Sequence, residues 1–273
     1  MTDETEFQNA EDMLPAERRQ KILDWFEHSV AASNQELARL VGASVSTIRR
    51  DLDHLDSQGL VRRTHGGAVR IRRNAAFEPT TDQARQTAVE EKRAIAEAAA
   101  GLLEPDMSIL IDTGSTLHQF AQVVAGLSIP LTVVTSDLFV AGTLANKNHI
   151  RLIVPGGHCR PGAFTLLGEP GLSFLRDLRC DRLFLCSQAI DSECASDTSW
   201  DLVQAKRAMM DAAASTVLMA DSSRFGARAL YRITAMDRVG TILTDDGLDI
   251  EERQRFYDSG ANLVIVPVSS QEA

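Results

Sequence analysis

The stretch that decides the reading is Val45–Ala68, VSTIRRDLDHLDSQGLVRRTHGGA. Ile48, Leu52 and Leu55 recur at helical spacing and claim one face, which leaves Ser46, Thr47, Arg49 and Arg50 free to face outward. Ser44, just ahead, is placed to cap this helix, which is expected to run to about Ser57 and to end at Gly59. Beyond it, LVRRTHGGAVRI reads as two short strands joined by a Gly-Gly turn. Arg49, Arg50, Arg62, Arg63 and His65 thus concentrate cations in a chain of formal net charge -10.

Working upstream, PAERRQKILDWFEHS predicts a first helix with Ile22, Leu23, Trp25 and Phe26 on its apolar face. SNQELARLV predicts a second, opened by a capping box of Ser33 and Glu36 and closed by Gly42. Helix, helix, tight turn, helix, β-hairpin is the order of a winged helix-turn-helix. Such a head lays the start of its third helix in the major groove. Ser44, Ser46, Thr47, Arg49 and Arg50 are therefore expected to meet bases and phosphates of double-stranded DNA, while Arg62, Arg63 and His65 of the wing reach phosphates or the minor groove.

Charge follows the same division. Leu14 to Arg73 carries a net +4, the first thirteen residues -5, and the chain from Asn74 onward -9. A basic module on an acidic body suits a nucleic-acid-binding head whose body does not adhere to DNA. The expected organisation is an acidic disordered tail (1–13), the winged helix-turn-helix (14–73), a polar linker containing Pro79 (74–88) and a larger α/β domain (89–273).

In that larger part, SILID, LTVVTS, RLIVPG, RLFLCS, TVLMAD, TILTD and NLVIVPV read as strands, mostly with helical stretches between them, which argues a largely parallel sheet. Polar loops at strand ends are where open α/β sheets bind ligands. The candidates are Asp112, Thr113, Gly114, Ser115 and Thr116; Thr135, Ser136 and Asp137; and the Gly156-Gly157 turn. Asp221 to Arg224 form another polar strand end, and Lys206 stands alone on an alanine- and methionine-rich helix. No apolar run reaches the ~18 residues of a membrane helix, and the acidic start is unlike a signal peptide, so a cytoplasmic protein is expected. Cys159, Cys180, Cys186 and Cys194 form no C-x-x-C pair, so reduced thiols are expected and neither a metal nor a cofactor is implied.

Thr47–Leu52 (TIRRDL) and His65–Ala68 (HGGA), in register with both preceding helices, resemble the N-terminal signature of the DeoR family of bacterial transcription regulators. The resemblance extends over roughly residues 17 to 267. It implies operator binding through the residues above, and a body similar to ribose-phosphate isomerases that senses phosphorylated sugars. On its motifs Asp112–Thr116, Gly156-Gly157, Asp191, Lys206 and Arg224 become effector-site residues, with Lys206 as a cationic anchor. Two departures stand out: Thr135-Ser136-Asp137 replaces a common T-N-S, and Ser187–Asp191 keeps only the last two residues of A-D-G-I-D. A carboxylate at Asp137 would weaken a nearby phosphate by about a kcal/mol or more, or bind ligand hydroxyls instead. The related enzymes place a glutamate just before the lysine, where this chain offers only Asp201, so catalysis is not expected. The expected function is a DNA-binding regulator, a repressor of a carbohydrate catabolic operon controlled by a sugar phosphate or by an unphosphorylated sugar or polyol, working as a dimer or tetramer on repeated half-sites. The alternatives are an isomerase- or transferase-like enzyme with a DNA-binding appendage, and an architectural DNA binder with an inert body.

Overall fold

The computed structural model describes residues 13–29, 31–57, 60–64, 66–70 and 81–268. The expected tail up to Asp12, Gly59, His65, the Arg62 side chain and the linker up to Thr80 lie outside the described residues. The chain divides into two compact units, Met1–Phe77 and Glu78–Ala273.

The first unit contains α1 (Pro15–His28), β1 (Ala31–Ser33), α2 (Asn34–Val41), α3 (Val45–Ser57), β2 (Val61–Arg63) and β3 (Gly67–Arg70). Ser33 Oγ accepts from Glu36 N–H at 3.2 Å and the Glu36 carboxylate accepts from Ser33 N–H at 2.7 Å, so the capping box forms. That backbone bond holds the Glu36 carboxyl below the usual carboxylate range. Gly42 ends α2 in the left-handed region at φ 63°, which turns the chain into α3. Ile22, Phe26, Leu37, Ile48, Leu52, Leu55 and Val61 are all buried in one core. Trp25, expected among them, is 37% exposed, because Ile22 and Phe26, four residues apart, take the centre of the buried stripe. The wing is a three-stranded antiparallel sheet in the order β1-β3-β2, one strand more than the hairpin expected. Gly67 is required there: a Cβ would stand 2.0 Å from the Ala32 carbonyl oxygen.

The second unit runs α4 (Thr81–Arg85), α5 (Val89–Ala100), β4 (Ser108–Ile111), α6 (Ser115–Gly126), β5 (Leu131–Thr135), α7 (Leu138–Leu144), β6 (Ile150–Ile153), β7 (His158–Cys159), β8 (Leu166–Leu167), α8 (Gly171–Asp177) and β9 (Cys180–Leu185). It continues with β10 (Ala189–Ile190), β11 (Cys194–Asp197), α9 (Trp200–Asp211), β12 (Ala213–Met219), β13 (Tyr231–Ala235), β14 (Thr241–Asp245), α10 (Ile250–Asp258) and β15 (Leu263–Val266). Thr81–Arg85, read as linker from the sequence, is thus helical and belongs to this unit. Seven strands form one parallel sheet in the order β15-β14-β12-β9-β4-β5-β6, and these are the seven apolar runs named above. Helices α5, α6 and α7 bury Ile95, Phe120 and Leu144 in one core, and α8, α9 and α10 bury Leu175, Met209 and Phe256 in another. β10, β11 and β13 make a small antiparallel sheet beside them.

The strand order places the site. From β4 the chain adds β5 and β6 on one side, then crosses back to lay β9 against β4 on the other. At such a reversal the connections leaving two adjacent strands part in opposite directions and open a crevice at their carboxyl ends. The loops after β4 and β9 border it.

Candidate functional site

The outward face of α3 is built by what its inward face needs. Ile48 and Leu52 are fully buried, and Ser46, Arg49 and Arg50 are consequently exposed. Ser44 Oγ accepts from Thr47 N–H at 3.2 Å and lies 2.8 Å from both the Ser46 and Thr47 hydroxyls, so the helix start carries a cluster of hydroxyls. Asp51, in the middle of the RRD run, points the other way. It is 5% exposed and bonds Arg18 at 2.6 and 3.3 Å, with Arg19 at 3.6 Å, which pins α3 to α1. Arg63, expected on phosphate, is turned back: its guanidinium donates to Asp53 at 2.5 Å and to the Arg49 carbonyl at 3.0 Å. The wing arginine therefore fixes the wing against α3. Arg18 and Asp51 were not singled out from the sequence, although an acidic residue at a core-facing spacing is their signal.

In the second unit, a cavity opens at the β4/β9 crevice. Thr113, Gly114, Ser115 and Thr116 line it, together with Lys206 and Arg224. Gly114 ends β4's loop at φ 139°, and α6 starts there with no side-chain cap. Its first N–H groups and the positive end of the helix dipole are thus directed to the cavity.

Lys206 and Asp112 are the electrostatic centre. Both are 2% exposed, and Lys206 Nζ donates to Asp112 Oδ2 at 2.5 Å and to the Cys186 carbonyl at 2.9 Å, with Asp197 Oδ2 at 3.9 Å. Burial pulls the Lys206 pKa down, but Asp112 and then Asp197 outweigh it, and the net shift is upward. One ammonium facing two carboxylates has little charge left for an outside anion. Asp201, the carboxylate weighed from the sequence, is exposed in the first turn of α9. Burial, and then Asp112, push the Cys186 thiol up to about 12, so this cavity wall carries no thiolate. Arg160 also lines the cavity, and Arg224 does so while donating to Gln188 at 2.8 Å, with the Asp221 carboxylate 3.8 Å from its Nε.

Several expected residues are elsewhere. Asp137 is 1% exposed and does not line the cavity: it caps α7 through the N–H groups of Phe139 and Val140 at 2.8 and 3.0 Å. It also accepts from Thr113 Oγ1 at 2.7 Å and lies 3.0 Å from His118 Nε2. Its carboxylate thus stands one side chain behind the cavity wall, on Thr113, rather than on the wall itself. Thr135 bonds Asp137 N–H at 3.1 Å, and Ser136 pairs through its carbonyl with Leu166 N–H, so that loop is scaffold. Gly157 exists for close approach: a Cβ there would be 2.5 Å from the Leu167 carbonyl oxygen, at φ 131°. With Gly156 it seats the strands whose connection delivers Arg160 and Thr165 to the cavity. Asp191 closes the β10–β11 turn through Glu193 and Cys194 N–H groups and pairs with Arg228. The sequence reading missed Arg160, Thr165, Gln188 and Asp197. Only Asp197, a polar residue at a strand end, follows the pattern used for the others.

Among the described residues no helix is long and apolar enough to cross a membrane, and no cluster of three or more metal-ligating side chains occurs.

Comparison with known proteins agrees with both units. Residues 18–74 match the DeoR-like helix-turn-helix domain, and residues 87–246 match the DeoR C terminal sensor domain. The chain is 30% identical to the HTH-type transcriptional regulator GolR of Listeria innocua, over 91% of this chain and 97% of that one. It is 27% identical to a putative aga operon transcriptional repressor of Escherichia coli O157:H7 (92% and 94%), and 35% identical to the L-fucose operon activator of Haemophilus influenzae (85% and 92%). Among solved structures, ribose 5-phosphate isomerase A of Methanocaldococcus jannaschii aligns at TM-score 0.37 with 15% identity, over 49% of this chain and 53% of that one. The Pyrococcus horikoshii translation initiation factor eIF-2B aligns at TM-score 0.41 with 12% identity, over 86% and 84%. With both of its units matched and its relatives named as regulators over nearly their whole length, the chain belongs to the DeoR family: it is a DNA-binding transcription regulator and not an enzyme.

Proposed function

We propose that this regulator is a cytoplasmic repressor of a carbohydrate operon, released from its operator by a phosphorylated sugar bound in the β4/β9 cavity. The observation that carries this reading is the uncapped start of α6 opening into a cavity lined by Arg160 and Arg224. Helix N–H groups beside two guanidinium groups suit a phosphate. Asp197 and Gln188 on the same wall suit sugar hydroxyls. Lys206 serves to hold Asp112 and Asp197 in place rather than as the anion anchor, because its charge is already shared between them. The names of relatives that regulate the aga and L-fucose operons support a carbohydrate effector, and the former supports repression. Ser44, Ser46, Thr47, Arg49 and Arg50 are the residues that read the operator. One α3 helix covers only a few base pairs, so a dimer or tetramer on repeated half-sites follows.

The test is thermal unfolding of the full chain against sugar phosphates and their unphosphorylated counterparts. A ligand at about 100 times its Kd adds roughly 2.7 kcal/mol, a shift of several degrees for a domain of this size. A shift with phosphorylated compounds, together with loss of operator binding, is expected. A shift with free sugars alone refutes the phosphate reading, and tighter operator binding refutes release by the effector.

A further inference from the structure

The short helix α4 forms part of the cavity. Thr81 and Ala84 stand on its wall beside Thr113 and Thr165, and Thr81 Oγ1 reaches the Gly162 carbonyl at 3.4 Å. Two clamps hold α4 there. Lys92 of α5, 2% exposed, turns its Nζ onto the carbonyls of Ala84, at 2.6 Å, and of Thr87. Ala84 lies in the last turn of α4, where a helix leaves its last carbonyls without partners, and Thr87 lies in the connection to α5. The Arg85 guanidinium lies 4.1 Å over the Phe139 ring.

The second clamp leads back to the cavity. Phe139 stacks on His118 at 4.3 Å, His118 Nε2 is 3.0 Å from Asp137, and Asp137 accepts from Thr113 at 2.7 Å. Thr165 Oγ1 donates to Thr113 at 2.6 Å, and both threonines line the cavity. His118 and Asp137 are each 1% exposed. A buried ammonium needs its hydrogen-bond partners, so displacing α4 costs Lys92 its bond to the Ala84 carbonyl.

We infer that α4 is the element that reads occupancy of the cavity. Thr81 and Ala84 meet the ligand, and Arg85 and Lys92 are positioning residues that keep them there. A ligand that contacts docked α4 favours that state, and the chain preceding α4 leads to the DNA-binding unit. The inference rests on the cavity being the effector site, as proposed above.

The experiment uses the full chain, Arg85→Ala and Lys92→Met. The DNA probe is a duplex selected by the wild-type chain from random sequence. The ligand probe is the sugar phosphate that raises the wild-type melting temperature most. In wild type, the probe slows hydrogen exchange at residues 81–88 and changes duplex affinity by about 5-fold or more, the range of allosteric coupling. In either variant the exchange effect is lost and the change in duplex affinity falls below about 2-fold, as expected if coupling is removed. Melting of the second unit in Arg85→Ala stays at the wild-type temperature, which separates lost coupling from lost fold. If Lys92→Met does not fold, Arg85→Ala decides. Wild-type exchange at 81–88 that ignores a stabilising probe overturns the inference, as do variants that respond like wild type. If no sugar phosphate shifts the melting temperature, the phosphate reading fails. The α4 inference is then decided with the free sugar that raises the melting temperature, through the same exchange and duplex measurements, and it falls if none does.

Discussion

Lys206→Met removes one ammonium and leaves Asp112 and Asp197 buried with no cation between them. The side chains of the three groups are 3%, 2% and 6% exposed. At an effective dielectric of about 20, the distances of 2.5 and 3.9 Å correspond to gross attractions of about 7 and about 4 kcal/mol. Desolvation of three charges offsets most of this. What the substitution exposes is the uncompensated remainder, which for a broken buried pair is about 3–5 kcal/mol. For a unit of this size that lowers the melting temperature by about 6–20 °C. Asp112→Asn in the same chain relieves the imbalance while its amide oxygen still accepts from Cys186 N–H, now at 3.1 Å from Asp112. The double variant is therefore expected to be more stable than Lys206→Met alone, the opposite of additive loss. Calorimetry of the full chain measures this if the transitions of the two units are resolved. A loss below about 1 kcal/mol for Lys206→Met is too small for a broken buried pair. That result, or a double variant no better than the single one, refutes the reasoning.

Arg50→Ala is expected to weaken operator binding about 10- to 100-fold, the loss of one good base or phosphate contact, with unchanged melting because the side chain is exposed; fluorescence anisotropy with labelled operator measures it. Gly157→Ala drives a Cβ to 2.5 Å from the Leu167 carbonyl oxygen at a φ of 131° and is expected to cost about 2–4 kcal/mol by denaturant unfolding. It is also expected to weaken the effector response, since the connection between β7 and β8 carries Arg160 and Thr165. Finally, Lys206 has a folded pKa above its unfolded value near 10.4. The folded state then binds more protons between those values, so this contribution to stability is complete below about pH 10.4 and is lost as pH rises through the folded pKa. The stability difference between wild type and Lys206→Met is expected to shrink as pH rises through that alkaline window, as read by denaturant unfolding at stepped pH.

The head was legible in the sequence because its signals are local. Ser33 and Glu36 are three residues apart, Gly42 follows the last turn, and Ile48, Leu52 and Leu55 keep one helical face. The five inner strands of the parallel sheet were legible for a similar reason, since a strand buried on both faces is a continuous apolar run. The cavity was only half legible. Its first loop, Thr113–Thr116, is continuous in sequence, but Arg160, Gln188 and Asp197 arrive from separate elements that only the strand order brings together. Asp137 misled because a carboxylate in a polar loop looks the same whether it faces a ligand or caps the next helix. Its two backbone bonds to Phe139 and Val140 decide that, and they are local but not evident from composition. The strand β1 escaped because three residues, Ala31–Ser33, carry no usable periodicity.

The opposed directions of Arg50 and Asp51 have a consequence for engineering. Within one tripeptide, the side chains proposed to meet DNA and the side chain that fastens the helix to its support do not overlap. Positions 46, 47, 49 and 50 can be randomised as a library while Ile48, Asp51 and Leu52 stay constant, and every member keeps the same mounting. On the proposed reading, the head is a reprogrammable reader whose alphabet can be changed without rebuilding the frame that holds it.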